Sequence, residues 1–234
     1  MNPENKIVIV TGGTHGIGFE TALKLKEKGS KVVVTGRDEK YFPACVEKGL
    51  HPFGCDVSDE NEVKSFFTEF EKQFGKLDVL INNAGYGYFD KLEDIDPVKF
   101  LDVYKTNVLG SMMMAKEAVK FFRKAGGGNI VNISSTAGLK GFSAGSPYVA
   151  TKFALKGMTE CWRDELRKDN IRVILVNPSQ VQTGFHLAAG FADREFNPTK
   201  LISEDIAHAI ISALEMNDRG FITELTVFAT NPKD

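Results

Sequence analysis

Short apolar runs alternate along this chain with longer stretches in which apolar residues recur at helical spacing. The first run, Ile7-Val8-Ile9-Val10, is apolar at every position, as a strand covered on both faces must be. A Gly-rich turn follows it. Residues 16–28 then place Ile17, Thr21, Ala22 and Leu25 on one helical face. Comparable runs predict strands at 32–34, 51–54, 77–81, 130–133, 171–176 and 221–228. Helical spacing predicts helices over 59–74, with Val63, Phe66, Phe67 and Phe70 inward, and over 97–123, 146–168 and 203–215. A short helix over 38–48 is disturbed by Pro43. Asp96-Pro97 and Ser146-Pro147 read as helix starts, each a capping residue followed by proline. Glycines 126–128 end the helix before them. Strands separated by helices build βαβ units, so the fold class is α/β. The expected architecture is a single doubly wound domain over 1–234, with a central parallel sheet of about seven strands and helices on both faces.

Composition narrows the functional classes. The 234 residues carry 29 basic and 31 acidic side chains, a net charge of −2, which gives no electrostatic reason to expect nucleic acid or an anionic membrane as partner. No apolar stretch has the length of a membrane span, and the first run is too short for a signal-peptide core. Cys45, Cys55 and Cys161 are odd in number and far apart, which suits reduced thiols and a cytoplasmic location. His15, His51, His186 and His208 show no ligand spacing, and no metal is expected.

The chemistry begins at Thr11-Gly12-Gly13-Thr14-His15-Gly16-Ile17-Gly18. Glycines at a strand-to-helix turn let backbone approach a pyrophosphate, and the helix N-terminus offers free N–H groups. The spacing Gly-x-x-x-Gly-x-Gly resembles that of the classical short-chain dehydrogenase/reductase family and differs from that of its extended members. The resemblance implies a Rossmann-like fold and a nicotinamide cofactor, with Gly12, Thr14, His15, Gly16, Ile17 and Gly18 at its phosphates and ribose. The second strand ends in Thr35-Gly36-Arg37-Asp38, with Gly36 where an NAD-selecting acid would stand. Arg37 reads either as a partner for the 2′-phosphate of NADP(H), the expected cofactor, or as a solvated loop residue. Asp38 is the alternative ribose acid and would allow NAD(H). Asp56, followed by Val57, matches the family position at the adenine or caps a helix entry. Asn82-Asn83-Ala84-Gly85 matches the family turn that supports the adenosine side, which places Asn83, Ala84 and Gly85 at the cofactor.

Tyr148 and Lys152 stand at i and i+4, one turn apart on a helix face. A nearby ammonium favours a phenolate, so this pair is expected to lower the tyrosine pKa into a range useful for acid/base work. Ser135 follows the fifth strand at the family spacing before the tyrosine, and Ser134 is its near neighbour. Asn107 lies inside the long predicted helix, either as a family proton-relay residue or as a hydrogen-bonded buried amide. In the family resemblance Asn107, Ser135, Tyr148 and Lys152 form the catalytic set, and Tyr148 and Lys152 also meet the cofactor. Pro178, Val181 and Thr183 resemble the segment that clasps the nicotinamide, except that Ser179 replaces the usual Gly. The implied reaction is hydride transfer between nicotinamide and a small carbonyl or alcohol substrate.

Two other readings exist. Gly141-Phe142-Ser143-Ala144-Gly145 has the form of a hydrolase nucleophile elbow, with His186 and His208 downstream, but no strand precedes it. A non-catalytic dinucleotide sensor would be expected to lose Ser135, Tyr148 or Lys152, and none is lost. Residues 184–200 are the expected substrate lid. Phe185, Leu187, Phe191 and Phe196, with Tyr86, Tyr88 and Phe142 nearby, give it apolar character. The C-terminal strand lacks the Gly-rich ending of many family members, which departs from the family's tetramer interface at this end; the resemblance implies a homodimer through the helices at 97–123 and 146–168, or a homotetramer.

Overall fold

In the computed structural model, residues 1–185, 189–190 and 195–233 are described. Strand β1 (Ile7–Thr11) is buried along its whole length and leads through the Gly-rich turn into α1 (Gly16–Glu27). Then come β2 (Lys31–Gly36), a 3₁₀ turn at Glu39–Tyr41, α2 (Phe42–Glu47), β3 (His51–Gly54), α3 (Glu60–Phe74) and β4 (Val79–Asn82). The second half runs through α4 (Pro97–Tyr104), α5 (Ser111–Ala125), β5 (Gly128–Ile133), α6 (Ser146–Leu166) and β6 (Ile171–Pro178). It closes with β7 (Val181–Gln182), β8 (Leu201–Ile202), α7 (Ser203–Leu214) and β9 (Glu224–Val227).

The main sheet has seven parallel strands in the order β3-β2-β1-β4-β5-β6-β9. The chain builds outward one way from β1 to β3 and the other way from β4 to β9. The C-terminal ends of β1 and β4 therefore flank the switch point where such sheets open a crevice. Alternation along β1 sorts its side chains between two cores. Ile7 and Ile9 join Phe66, Phe67, Phe70, Phe121 and Phe122 beneath α3 and α5. Val8 and Val10 join Leu25, Ile206, Ile210 and Leu214 beneath α1 and α7. On the first face Phe66 and Phe67 meet edge-on with centroids 5.1 Å apart.

The caps explain most boundaries. Asp59 accepts from Asn61 N–H at 2.7 Å and Glu62 N–H at 3.2 Å, and Gly75 at φ 71° ends α3. Asp96 accepts from Val98 N–H at 2.8 Å, as its place before Pro97 leads one to expect. Ser146 differs from expectation. It is the first helical residue of α6, Gly145 occupies the cap, and no side chain caps it. The predicted 97–123 helix is interrupted by a π-helical turn at Lys105–Gly110. A Cβ on Gly110 would lie 2.8 Å from Val57 Cγ2 and 3.0 Å from Val57 carbonyl, so the helix bears directly on the β3–α3 loop. The last strand is shorter than the expected 221–228 and forms a partly exposed edge. Among the described residues no helix is long and apolar enough to cross a membrane.

Candidate active site

The cleft lies at the C-terminal ends of β1, β2, β4, β5 and β6 and encloses about 970 Å³. It is built first by the Gly-rich turn. Gly12 and Gly16 sit at φ 59° and 58°, a backbone region that favours glycine. A Cβ on Gly12 would lie 2.9 Å from Ala84 Cα, so the turn fits against the end of β4 only without a side chain. Asn83 stitches that contact, donating from its amide to the Thr11 carbonyl at 2.9 Å and the Gly12 carbonyl at 3.0 Å. Thr11 Oγ1 accepts from the N–H groups of Asn83 and Ala84, both at 3.0 Å. The start of α1 has no side-chain cap and no acid in its first turn, so its N–H groups are open to an anion. Gly18 does not line the cleft. A Cβ there would lie 2.6 Å from the Gly12 carbonyl, and its role is packing behind the turn.

One end of the cleft carries charge. Arg37 lies 3.7 Å from Asp56, with its side chain 64% exposed. Burial pushes the Asp56 carboxyl up, but hydrogen bonds from the Ser58 hydroxyl and N–H and the Arg37 guanidinium outweigh it, and the group ionises below its usual range. Asp56 therefore faces the cleft, and the α3 cap is Asp59. Asp38 accepts from Lys40 N–H to cap the 3₁₀ turn and pairs with the Lys40 ammonium. His15 lies 3.2 Å from Thr14 Oγ1 and stacks obliquely on Tyr41, centroids 5.4 Å apart. Thr35 Oγ1 is buried at the cleft wall with no hydrogen-bond partner in the described chain. That orphan hydroxyl, the bare turn and the uncapped helix fit a bound dinucleotide.

The other end holds Ser135, Tyr148 and Lys152. Lys152 is 6% exposed and donates to the Ile133 carbonyl at 2.9 Å, which fixes its ammonium 5.5 Å from the centre of the Tyr148 ring. Ser135 hydrogen-bonds the Tyr148 phenol and accepts from Ala137 N–H at 3.1 Å. Ser134 turns away and donates to the Lys152 carbonyl at 3.3 Å. The expected depression of the tyrosine does not occur in this structure. Burial pushes Tyr148 up to about 12, against the Ser135 hydrogen bond, and burial brings Lys152 down to about 8. Desolvation acts on both groups and disfavours the charged form of each.

Asn107 lies behind the wall, 1% exposed, inside the π-helical turn. Its Oδ1 accepts from Tyr86 N–H at 3.0 Å, and its amide donates to the Tyr86 carbonyl at 2.9 Å and Thr151 Oγ1 at 3.1 Å. Thr151 in turn donates to the Tyr148 carbonyl at 2.7 Å. Asn107 thus ties the β4 loop to the α6 turn that carries Tyr148, with its side chain fully engaged. Thr151 is the residue that the spacing argument missed. Its position inside Tyr-x-x-x-Lys is the signal that could have found it.

Pro178, Val181 and Thr183 line the cleft together with Val57, Ala84 and Gly85. Ser179, in place of Gly, donates its N–H to the Val227 carbonyl at 2.9 Å and is absent from the residues at positive φ, so the substitution brings no backbone strain. Gln182 holds the next segment by both ends of its amide, donating to the Asn197 carbonyl at 2.8 Å and accepting from Asn197 N–H at 2.6 Å. Asn197 donates to the Lys233 carbonyl at 2.7 Å. Tyr86, Phe142 and Phe185 line the cleft, joined by Phe89, Tyr41 and Phe228, which lie in or beside loops where periodicity says nothing. Tyr88 does not line it. Its hydroxyl accepts from Asp96 N–H at 2.8 Å and anchors the entry to α4. Phe196 is 71% exposed away from the cleft, and His186, Leu187 and Phe191 lie outside the described residues. Ser143 sits in an exposed turn with no strand before it, unlike a nucleophile elbow.

A family model described as short chain dehydrogenase matches residues 6–190. The chain belongs to this oxidoreductase family. The 3beta-hydroxysteroid dehydrogenase of Mediterraneibacter gnavus is 37% identical over 164 residues, 67% of this chain and 59% of that protein, so the chain spans less than two thirds of that relative. The NADP-dependent 3-hydroxy acid dehydrogenase of Schizosaccharomyces pombe is 30% identical over 243 residues, covering 97% of this chain and 94% of that protein. Among solved structures, an alcohol dehydrogenase from Thermococcus sibiricus, complexed with 5-hydroxy-NADP, superposes with a TM-score of 0.87 at 25% identity, covering 99% of this chain and 100% of that one. A metagenomic short-chain oxidoreductase in complex with NADP gives 0.84 at 28% identity, with the same coverages.

Proposed function

We propose that this chain is an NADP(H)-dependent oxidoreductase that interconverts a carbonyl and an alcohol, with Tyr148 as the acid/base. The observation that carries the reading is the convergence of Ser135, Tyr148 and Lys152 at one end of a cleft whose other end is an uncapped helix N-terminus beside Arg37. The bound nicotinamide supplies or accepts the hydride. Tyr148, protonated at neutral pH, gives its phenolic proton to the carbonyl oxygen as the alcohol forms. Ser135 donates a second hydrogen bond to that oxygen and shares the developing charge. Lys152 holds the cofactor ribose hydroxyls and favours the phenolate that Tyr148 becomes. Asn107 and Thr151 position the Tyr148 turn. The reading of NADP over NAD rests on three features. No acid ends β2, Asp38 is engaged by Lys40, and Arg37 reaches into the cleft.

One sheet with strands from residue 7 to 227 supports reading 1–234 as a single dinucleotide-binding unit. We place the enzyme in the cytoplasm, and as a homodimer through the faces of α4, α5 and α6. A fluorescence titration tests the cofactor, and turnover tests the chemistry. The wild type binds NADPH at least tenfold tighter than NADH, and Arg37→Ala removes most of that preference. Tyr148→Phe keeps NADPH binding and loses at least a thousandfold in carbonyl reduction. Equal binding of NADH in the wild type counts against NADP, and an active Tyr148→Phe variant against the acid/base assignment.

A further inference from the structure

On the reading proposed above, we infer that the substrate is an uncharged, ring-bearing ketone or secondary alcohol, seated against an aromatic wall formed by Phe89, Phe142 and Phe185 beside Tyr148. The Tyr148 ring is bracketed by two others, Phe89 at 5.3 Å and Phe185 at 5.5 Å between centroids. Phe142 continues the row from Phe89 at 6.1 Å. All three contacts are tilted.

Two glycines let the row form. A Cβ on Gly87 would lie 2.9 Å from Cζ of both Phe89 and Phe185, so bare backbone here lets the two rings converge on Tyr148. A Cβ on Gly145 would lie 2.7 Å from the Phe142 ring. Backbone thus backs Phe142 on one side while 53% of the residue stays open to solvent at the cleft. Leu139 and Phe228, 39% and 66% exposed, extend apolar surface along the same rim. A run of large apolar side chains held open beside acid/base groups is unusual for a plain surface.

Charge is distributed to match. Arg37, Asp38 and Asp56 line the cleft at the ends of β2 and β3, on the nucleotide side. Beside the rings, the described lining residues offer the hydroxyls of Ser135 and Tyr148 to an oxygen, and the charged side chains on that side are Lys152, buried and bonded to the Ile133 carbonyl, and the exposed Lys140. A carboxylate placed among the rings would lose its hydration with little to replace it. A neutral ring would gain face and edge contacts there, with its oxygen still within reach of the hydroxyl pair.

The test uses the full chain with NADPH and three probes: 1-tetralone (neutral, cyclic), 2-butanone (neutral, acyclic) and acetoacetate (anionic, acyclic). We expect kcat/KM for 1-tetralone to exceed both others at least tenfold. In Phe142→Ala that preference falls at least fivefold, mainly through KM, while Phe142→Trp keeps it. NADPH titration and thermal melting of each variant show whether it is folded. A wild type that reduces the acyclic probes as well as 1-tetralone overturns the inference and leaves the oxidoreductase reading intact. So does an unchanged preference in Phe142→Ala. If no probe turns over, 1-tetralone binding to the NADPH complex is followed by saturation-transfer NMR, and absence of binding overturns the inference. Failure of the wild type to bind NADPH overturns the cofactor reading, and the inference with it.

Discussion

Lys152 is a cation held where a cation is costly. Its pKa of about 8 in the folded chain lies below the ordinary 10.5, because burial penalises the charged form. Between those two values the unfolded chain binds the extra proton, so stability rises as pH climbs from 8 toward 10.5, and below pH 8 the buried ammonium destabilises the fold. A gap of that size corresponds to about 3 kcal/mol. Lys152→Met also forfeits the bond to the Ile133 carbonyl, about 1 kcal/mol, so the net gain at pH 7 is about 2 kcal/mol by the same linkage. The gain shrinks toward zero by pH 10, and urea denaturation at pH 7 and 9.5 measures both ends. An equal gain at both pH values would mean that charge burial is not its source. Tyr148 works in the opposite sense. Its raised pKa keeps the proton on the folded chain, so its contribution is complete below pH 10 and is lost as pH rises toward 12. The same burial keeps the proton on Tyr148 at neutral pH. Stability is given up at Lys152, where a buried cation stands beside Tyr148.

Among elements, the turn between β1 and α1 leaves little room for a side chain. Gly18→Ala drives a methyl group toward the Gly12 carbonyl and the Asn83 amide. Overpacking of this kind costs about 1–3 kcal/mol, and it also displaces the N–H groups that face the cleft. We expect a lower melting temperature and at least tenfold weaker NADPH binding, read by calorimetry and fluorescence. A variant with wild-type affinity would show that the turn has slack. The central strands and the α4 cap were legible in the chain because burial on both faces and an Asp-Pro start leave local marks, whereas the helix-entry cap considered before α3 was Asp56 and the structure uses Asp59. The π-helical turn was not, because tertiary contacts set it: Asn107 reaches Tyr86, and Gly110 meets Val57. Family spacing favoured Ser135 over Ser134, and the physical difference between them came from the structure: Ser135 meets the Tyr148 phenol and Ser134 the Lys152 carbonyl. Phe89, Tyr41 and Phe228 come to the cleft through the path of the chain, which no short-range pattern encodes. The tyrosine pKa was misjudged because helical spacing reveals the ammonium and not the burial around both groups.

At the scale of the whole molecule, α6 packs beside α4 and the π-helical turn, and that side exposes Val98, Leu101, Leu109 and Phe153. If copies of the chain meet there, Leu109→Asp combined with Phe153→Glu converts a dimer into a monomer in sedimentation, while each chain still binds NADPH. A wild-type monomer would exclude this pairing. The hydrogen bonds from Gln182 through Asn197 to Lys233 draw a different boundary across the molecule. On one side of it stand the cofactor turn and the acid/base groups, carried by β1 to β6. On the other, the segment after residue 195 is tied back through Gln182, while α7 packs on α1 and the last strand pairs with β6, which brings Phe228 to the cleft rim. Such an arrangement can be inherited in parts. A chimera keeping residues 1–183 and taking the remainder from another family member should retain its nucleotide affinity while changing what it reduces. Selection could then retune this enzyme's diet by rewriting its final quarter alone, leaving the machinery that handles the proton untouched.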